Sequence, residues 1–434
     1  MPLLAHRLRS SVVVAYVAFV LTGVSASVGA VVVPAQMADY DVTRKAIGLT
    51  FFTFSAAFFV AGATTGWLMA RVGPRTALLV GSGAYVVGAL AMASRPSFAV
   101  LVAVQLVVGY GTGIVESVLN AYLAELPRGA ARLNLLHAFF GVGALLGPVL
   151  ASWLVVRTSW TVVWLLLAVT AVPVAVAYAL TYPGTTPPAV REDDGGVPLP
   201  AVPAGAADAP GVAPVAEGGD GRLLAAALRD RGVVLAAIFL TVYVGVEMSV
   251  GTWGVNYLTD HRGLAGTLAG ASLSGFWLGL TVGRFVISPI TTAFGWTLAR
   301  TTTVCLGGVV VAGVLVAVAP VDPVAVAGLA LLGFFLAPLF PTAIAVVPRL
   351  TTPRLVPTAV GLLNAVSVIG GSALPWLAGT LGDAAGIGTL LPYVTGLALV
   401  QLLVWRRVAA RMRPEDPADR RPSADVPVAE ASGT

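Results

Sequence analysis

"YPGTTPPAVREDDGGVPLPAVPAGAADAPGVAPVAEGGDGR" (Tyr182–Arg222) is a long interior stretch without apolar periodicity, and it lies near the middle of a 434-residue chain. Its Pro, Gly, Ala and acidic residues cannot bury enough surface to offset the entropy of ordering, so it reads as a disordered linker. Outward from it the chain changes character. Apolar runs of 19 to 28 residues recur between short polar or Pro/Gly breaks. Before the linker they fall at about 11–37, 46–70, 76–94, 99–124, 133–156 and 160–182. After it they fall at about 232–258, 265–290, 297–319, 323–348, 355–382 and 388–410. Each can cross ~30 Å of hydrocarbon as a helix rising ~1.5 Å per residue. The expected fold is therefore an all-α membrane protein of twelve transmembrane helices in two six-helix halves, over 1–182 and 232–410. A linker at 183–231 and a disordered tail at 411–434 complete it.

Composition supports the same solvent. Hydrophobic residues make up 57% of the chain and charged residues 10%, with a mean hydropathy of +0.91. A soluble domain carries roughly 25% charged residues. The first run follows "HRLRS" and exceeds the 7–15 residues of a signal-peptide core, so it reads as a retained span. Cys305 is the single cysteine and the histidines are His6, His137 and His261. Neither a disulfide framework nor a metal cluster follows from that spacing, and no cofactor is expected.

The basic residues set the orientation. If the N-terminus is cytoplasmic and the spans alternate, only Arg44, Lys45, Arg95, Arg157 and Arg262 of 25 Lys and Arg fall outside. Under the positive-inside rule, both termini and the linker are then cytoplasmic. This bias accounts for the +5 net charge without a nucleic-acid partner. The expected partners are a small-molecule solute, protons and the lipid bilayer, for a monomer in the plasma membrane.

Few ionisable side chains remain inside the spans: Glu116, Glu247 and Arg284, with His137 near the start of the fifth. A charge at the bilayer centre costs roughly 2.5–3.5 kcal/mol on insertion scales, and such groups mark solute or proton pathways. Gln105, Gly109, Thr112, Glu116 and Asn120 recur at intervals of three and four, which puts them on one helix face. Glu247 forms a similar line with Tyr243, Gly251 and Gly254. Asn134, His137, Gly141 and Pro148 share a face of the fifth span, and Asn364, Ser367 and Gly371 one of the eleventh. Glu116, Asn120, His137, Glu247 and Asn364 are the candidate solute- and proton-binding residues. The structural alternatives are a hydrogen-bonded helix tie for either glutamate, a cap for His137, and packing for the glycine faces and Arg284. Phe54, Phe58, Trp253 and Trp277 could stack on a sugar ring or simply pack.

"GWLMARVGPR" (Gly66–Arg75) resembles the loop signature G-x-x-x-D-R-x-G-R-R of the major facilitator superfamily. Gly66, Arg71 and Gly73 match it; Ala70 stands at the acid and Pro74 at one basic position. "GTGIVESVLNAYLAELPRGAARLNLLHAFFGVGALLGP" is similar to the fourth and fifth spans of the superfamily's fucose permease-like branch of proton-coupled sugar symporters. "YVGVEMSVGTWGVNYLT" and "FWLGLTVGRF" are similar to its seventh and eighth. The resemblance implies Glu116 as the functional glutamate, His137 and Glu247 at glutamine positions of the branch, and Arg284 in a shared Gly-Arg-Phe. Gly66, Arg71, Gly73 and Arg284 then belong to gating or structural motifs. The branch's first-span aspartate has no counterpart before Asp39, so coupling would fall to Glu116 or Glu247, or be absent.

The leading expectation is a secondary transporter that moves a small polar solute, a sugar, by alternating access with proton symport. The alternative is proton-antiport export of drugs or secondary metabolites, because "GALLGPVLAS" partly resembles the exporters' Gly-Pro motif. An enzyme is not expected: there is no nucleophile–His–acid spacing, no HExxH and no phosphate-binding Gly-Lys motif.

Overall fold

A segment surrounded by lipid must satisfy its own backbone N–H and C=O groups, which makes a helix of each apolar run. The structure, a computed structural model, describes residues 2–124, 126, 129–184 and 221–412. Every regular element among the described residues is helical: α1 (Pro2–Ser27), α2 (Gly29–Tyr40), α3 (Arg44–Ile47), α4 (Leu49–Ala93), α5 (Phe98–Ala124), α6 (Gly129–Arg157) and α7 (Trp160–Thr181). Then come α8 (Gly221–Arg229), α9 (Arg231–Asn256), α10 (Gly266–Ala293), α11 (Leu298–Val318), α12 (Asp322–Leu336), α13 (Leu339–Ala345), α14 (Val347–Leu350), α15 (Val356–Ala385) and α16 (Leu390–Ala409).

Eleven helical stretches among the described residues are long and apolar enough to cross a membrane. The expected second and third spans follow one another without a loop in α4, 45 residues that form two helices joined across a kink. Inside it Gly73 has φ 75° and ψ 165°, a conformation that only glycine adopts without strain, and Pro74 follows without an N–H to give. The expected first span is divided between α1 and α2 at Val28, and the tenth between α12, α13 and α14, where Pro338 and Pro348 interrupt the backbone ladder.

One expectation is corrected. The linker over 183–231 reaches too far, because Gly221–Arg229 is the helix α8. Its "RLLAAALR" consists of strong helix formers, and Ala227 is fully buried where α8 meets α9 and α15. Residues 185–220 of that linker, and 413–434 of the tail, lie outside the described residues.

Helices α1, α4, α5, α6 and α7 pack on one another, as do α9, α10, α11, α12, α15 and α16. The two sets meet where α6 lies along α10 and where α2, α3 and α4 touch α9 or α15. The closest crossings are made by glycine and occur in matching places. A β-carbon at Gly143 of α6 would strike the Val20 carbonyl oxygen of α1, and one at Gly370 of α15 the Thr241 oxygen of α9. Gly109 of α5 against the Phe54 oxygen of α4 is mirrored by Gly333 of α12 against the Phe276 oxygen of α10. Small residues at such crossings let backbones approach, and dispersion then supplies the attraction that water cannot supply in lipid.

Candidate functional site

The apolar run Phe98–Ala124 makes α5 a continuous helix, so Thr112, Glu116 and Asn120 stand in one row. Glu116 is buried at 7% exposure. Its backbone oxygen accepts a hydrogen bond from Asn120 Nδ2 at 2.8 Å. That contact turns Asn120 Oδ1 toward α6, where it lies 3.2 Å from His137 Nε2. Phe19 of α1 closes the other side of the imidazole edge-on, with ring centroids 5.5 Å apart. Asn120 thus joins two helices, and among the described residues no protein hydrogen bond reaches the Glu116 carboxyl oxygens. A largely buried carboxyl without a protein donor is a group that a proton, water or a solute hydroxyl must satisfy.

The second set holds Glu247, buried on α9. Two residues of its row, Gly251 and Gly254, take Trp277 and Leu273 of α10 into the space a side chain would occupy. The row therefore faces α10, and Tyr243 meets the ring of Phe340 at 5.8 Å. Arg284 is half-buried on α10, three residues beyond Thr281, whose hydroxyl lies over Gly141 of α6. Asn364 of α15 is 5% exposed; its carbonyl accepts from Ser367 Oγ at 2.7 Å, while its Oδ1 has no partner. Gly371, two turns along the same face, touches Val244 and Met248 of α9. The structure thus brings Glu116, Asn120 and His137 together, sets Glu247 on the face shared with α10, and leaves Asn364 about 10 Å along α15 from the α9 crossing at ~1.5 Å per residue.

The loop-motif residues are local in their contacts. Gly73 makes the break in α4, Arg71 stacks 5.1 Å from the centre of the Trp67 ring, and nothing lies within 4 Å of a β-carbon placed on Gly66. Arg75 makes the tie instead: its Nε donates to the Tyr182 oxygen at 2.7 Å and its backbone N–H to the Pro183 oxygen at 3.2 Å. Both partners follow α7, so the loop is fastened within its own half. Of the aromatic candidates, Phe54 and Phe58 stack on each other, and Trp253 Nε1 donates to the Pro375 oxygen at 2.7 Å.

Sequence reasoning missed the acids that hold the two halves together at one end. Arg44 Nη2 lies 2.9 Å from Asp260 Oδ2, just past α9, and Nη1 lies 3.5 Å from Asp383 Oδ1 on α15. The Asp383 carboxylate also accepts the backbone N–H of Arg44 at 3.1 Å and of Lys45 at 2.7 Å. Asn256 supports Asp260 at 3.2 Å, and Trp376 Nε1 donates to the Lys45 oxygen at 3.2 Å. Asp39 similarly joins Arg95 and the Trp160 indole within the first half. The available signal was positional: Asp260 and Asp383 sit at span ends on the same side as Arg44.

A hollow of about 440 Å³ between α4 and α5, lined by alanine, valine, leucine and Tyr110, is apolar and touches none of these polar residues. A smaller one of about 40 Å³ lies between α1, α4, α5 and α7, and Thr22, Ser25, Ser82, Tyr85, Thr112 and Tyr178 are among the residues that line it. No grouping of three metal-ligating side chains occurs among the described residues.

The description "Major Facilitator Superfamily" matches residues 15–259 and 235–432. A Saccharomyces cerevisiae protein named Bypass of stop codon protein 6 is 24% identical over 92% of this chain and 80% of its own length. The glucose/galactose transporter of Brucella abortus is 27% identical over 77% of this chain and 79% of its own. The multidrug resistance protein B homolog of Mycobacterium tuberculosis is 28% identical over 42% of this chain and 34% of its own. Among solved structures, a bacterial homolog of the human lysosomal transporter Spinster superposes with a TM-score of 0.77 at 13% identity, over 96% of this chain and all of that one. The Escherichia coli fucose:proton symporter superposes with a TM-score of 0.60 at 18% identity, over 92% and 98%.

Proposed function

The chain belongs to the Major Facilitator Superfamily, a family of transporters and not enzymes, and on that premise we propose that it carries a sugar across the plasma membrane by proton-coupled symport. It is a multi-pass integral membrane protein. The observation that carries the proposal is the Glu116–Asn120–His137 group: a buried carboxyl without a protein donor, one turn from an amide–imidazole pair joining α5 to α6. Glu116 takes the coupling proton, and Asn120 and His137 offer donors and acceptors to solute hydroxyls. The name of the Brucella abortus relative supports a sugar as the solute.

Twelve spans follow if α4 crosses twice. Its 45 residues would run about 67 Å as one rod, over twice the ~30 Å hydrocarbon thickness, and Gly73 breaks it between the crossings. Both termini are then cytoplasmic, and the Arg44–Asp260–Asp383 cluster lies at the outer end. Alternating access needs this cluster to open when the other end closes, with each half moving largely as a unit and the chain working as a monomer. In proteoliposomes, a labelled monosaccharide should accumulate when an inward proton gradient is imposed and only equilibrate without one. Absence of uptake for every sugar, with proton-driven efflux of dyes or toxins, would favour the export reading that the Mycobacterium tuberculosis relative supports.

A further inference from the structure

Helix α10 touches both polar faces. A β-carbon placed on Gly141 of α6 would stand 3.0 Å from Thr281 Oγ1, and Gly141 is one turn on from His137. One turn away on α10, Trp277 lies over Gly251 of α9, itself one turn on from Glu247. There an added β-carbon would meet Cζ2 at 3.0 Å, Cη2 at 3.7 Å and Cε2 at 4.0 Å. Cζ2 and Nε1 are both bonded to Cε2, so the indole N–H lies beside the ring edge that meets α9. Trp277 is 5% exposed, and its Nε1 has no hydrogen-bond partner.

An indole N–H only donates, and buried tryptophans ordinarily find an acceptor. Trp253 and Trp405 do, at 2.7 Å from the Pro375 oxygen and 3.2 Å from Thr303 Oγ1. Trp164 also lacks one, but it sits on α7, which packs within the first set of helices. Trp277 differs in place: the ring edge beside its N–H lies on the glycine side of the Glu247 row, on the helix that also meets the His137 face. The absent side chain at Gly251 leaves that edge free of an aliphatic cover.

We propose that Trp277 is a solute-binding residue, its indole N–H donating to an acceptor oxygen of a polyhydroxylated solute held between the His137 face of α6 and the Glu247 face of α9. This rests on the sugar-carrier reading above and gives Trp277 a hydrogen-bonding role in place of the stacking or packing considered from the sequence. Trp277→Phe keeps an aromatic ring and removes the N–H. Proteoliposomes of wild type and variant are offered D-glucose, D-galactose, L-fucose and myo-inositol, then the monodeoxy analogues of whichever the wild type takes up.

The expected result is an increase of about tenfold in half-saturation concentration with little change in maximal rate. One monodeoxy analogue should be taken up less well than its parent by the wild type but show no such difference in the variant. Equal half-saturation in the two proteins, or the same deoxy penalties in both, overturns the assignment. Gly251→Ala, which crowds the ring edge beside the N–H, gives a second measurement should Trp277→Phe fail to fold; it is expected to raise half-saturation, and an unchanged value overturns the assignment too. Uptake of no sugar by the wild type removes the sugar reading and this inference together, whereas normal uptake indifferent to Trp277 removes the inference alone.

Discussion

Asp383→Ala removes the acceptor that fastens α3 to α15 and leaves Arg44 with Asp260 alone. The lost contacts are two backbone N–H bonds, at 2.7 and 3.1 Å, and the guanidinium at 3.5 Å. Hydrogen bonds to a charged group are worth ~1.5–3 kcal/mol each when well shielded. Asp383 is 23% exposed in its side chain, and ion pairs open to water fall to ~0.2–1 kcal/mol. A net loss of about 2 kcal/mol is therefore expected, which moves a two-state equilibrium roughly thirtyfold away from the fastened conformation. The assay is a distance measurement between spin labels at Ser97→Cys and Ala384→Cys, both exposed and on opposite halves, in a Cys305→Ser background. The parent should give one short distance, and Asp383→Ala a second, longer one; high salt, which screens exposed charges beyond ~8 Å and weakens pairs like this one, should move the parent the same way. An unchanged distance distribution together with unchanged uptake would refute the reasoning that this cluster holds the halves together.

Four further outcomes are expected. Glu116→Gln should fold and reach the membrane yet lose proton-driven accumulation, while retained downhill exchange would report intact solute binding; full accumulation would remove Glu116 from coupling. Gly143→Ala should lower the melting temperature in detergent, since the new methyl group strikes the Val20 oxygen and overpacking costs ~1–3 kcal/mol. Gly66→Ala, with open space around it, should leave melting unchanged or raise it slightly, as Ala suits a helix interior by ~0.5–1 kcal/mol over Gly. Asp230→Ala should cost ~1–2 kcal/mol, because Asp230 caps α9 through the N–H groups of Gly232 and Val233 and holds Thr351 Oγ1 at 2.8 Å; an unaltered melting curve would contradict that.

Much of the candidate site's geometry was legible along single helices. The Glu116 row survives intact because one uninterrupted apolar run makes one helix, and positions three and four apart must then share a face. Asn120 and Glu116 could be placed one above the other for that reason. Their connection to His137 could not, because it depends on how α5 and α6 are rotated about their own axes. Trp253 and Trp277 looked alike as apolar aromatics. Only their neighbours separate them: Pro375 offers the first an acceptor, while the N–H of the second, packed beside Gly251, has none.

The superfamily motif illustrates the same division. Gly73 was legible as a loop glycine, and its positive φ follows from a turn that L side chains resist. That Arg75 would bind the Tyr182 carbonyl, 107 residues away, was not. Apolar run length determines where helices start and stop, because backbone groups in lipid have to be satisfied within each segment. It says little about which face turns inward, since lipid and protein interior are both apolar and a leucine is at home in either. Arg44 and Asp383 are 339 residues apart and lie at the ends of unrelated runs. Their meeting is a consequence of packing: glycine crossings bring the helices close, and the charges beyond them pair where those helices end.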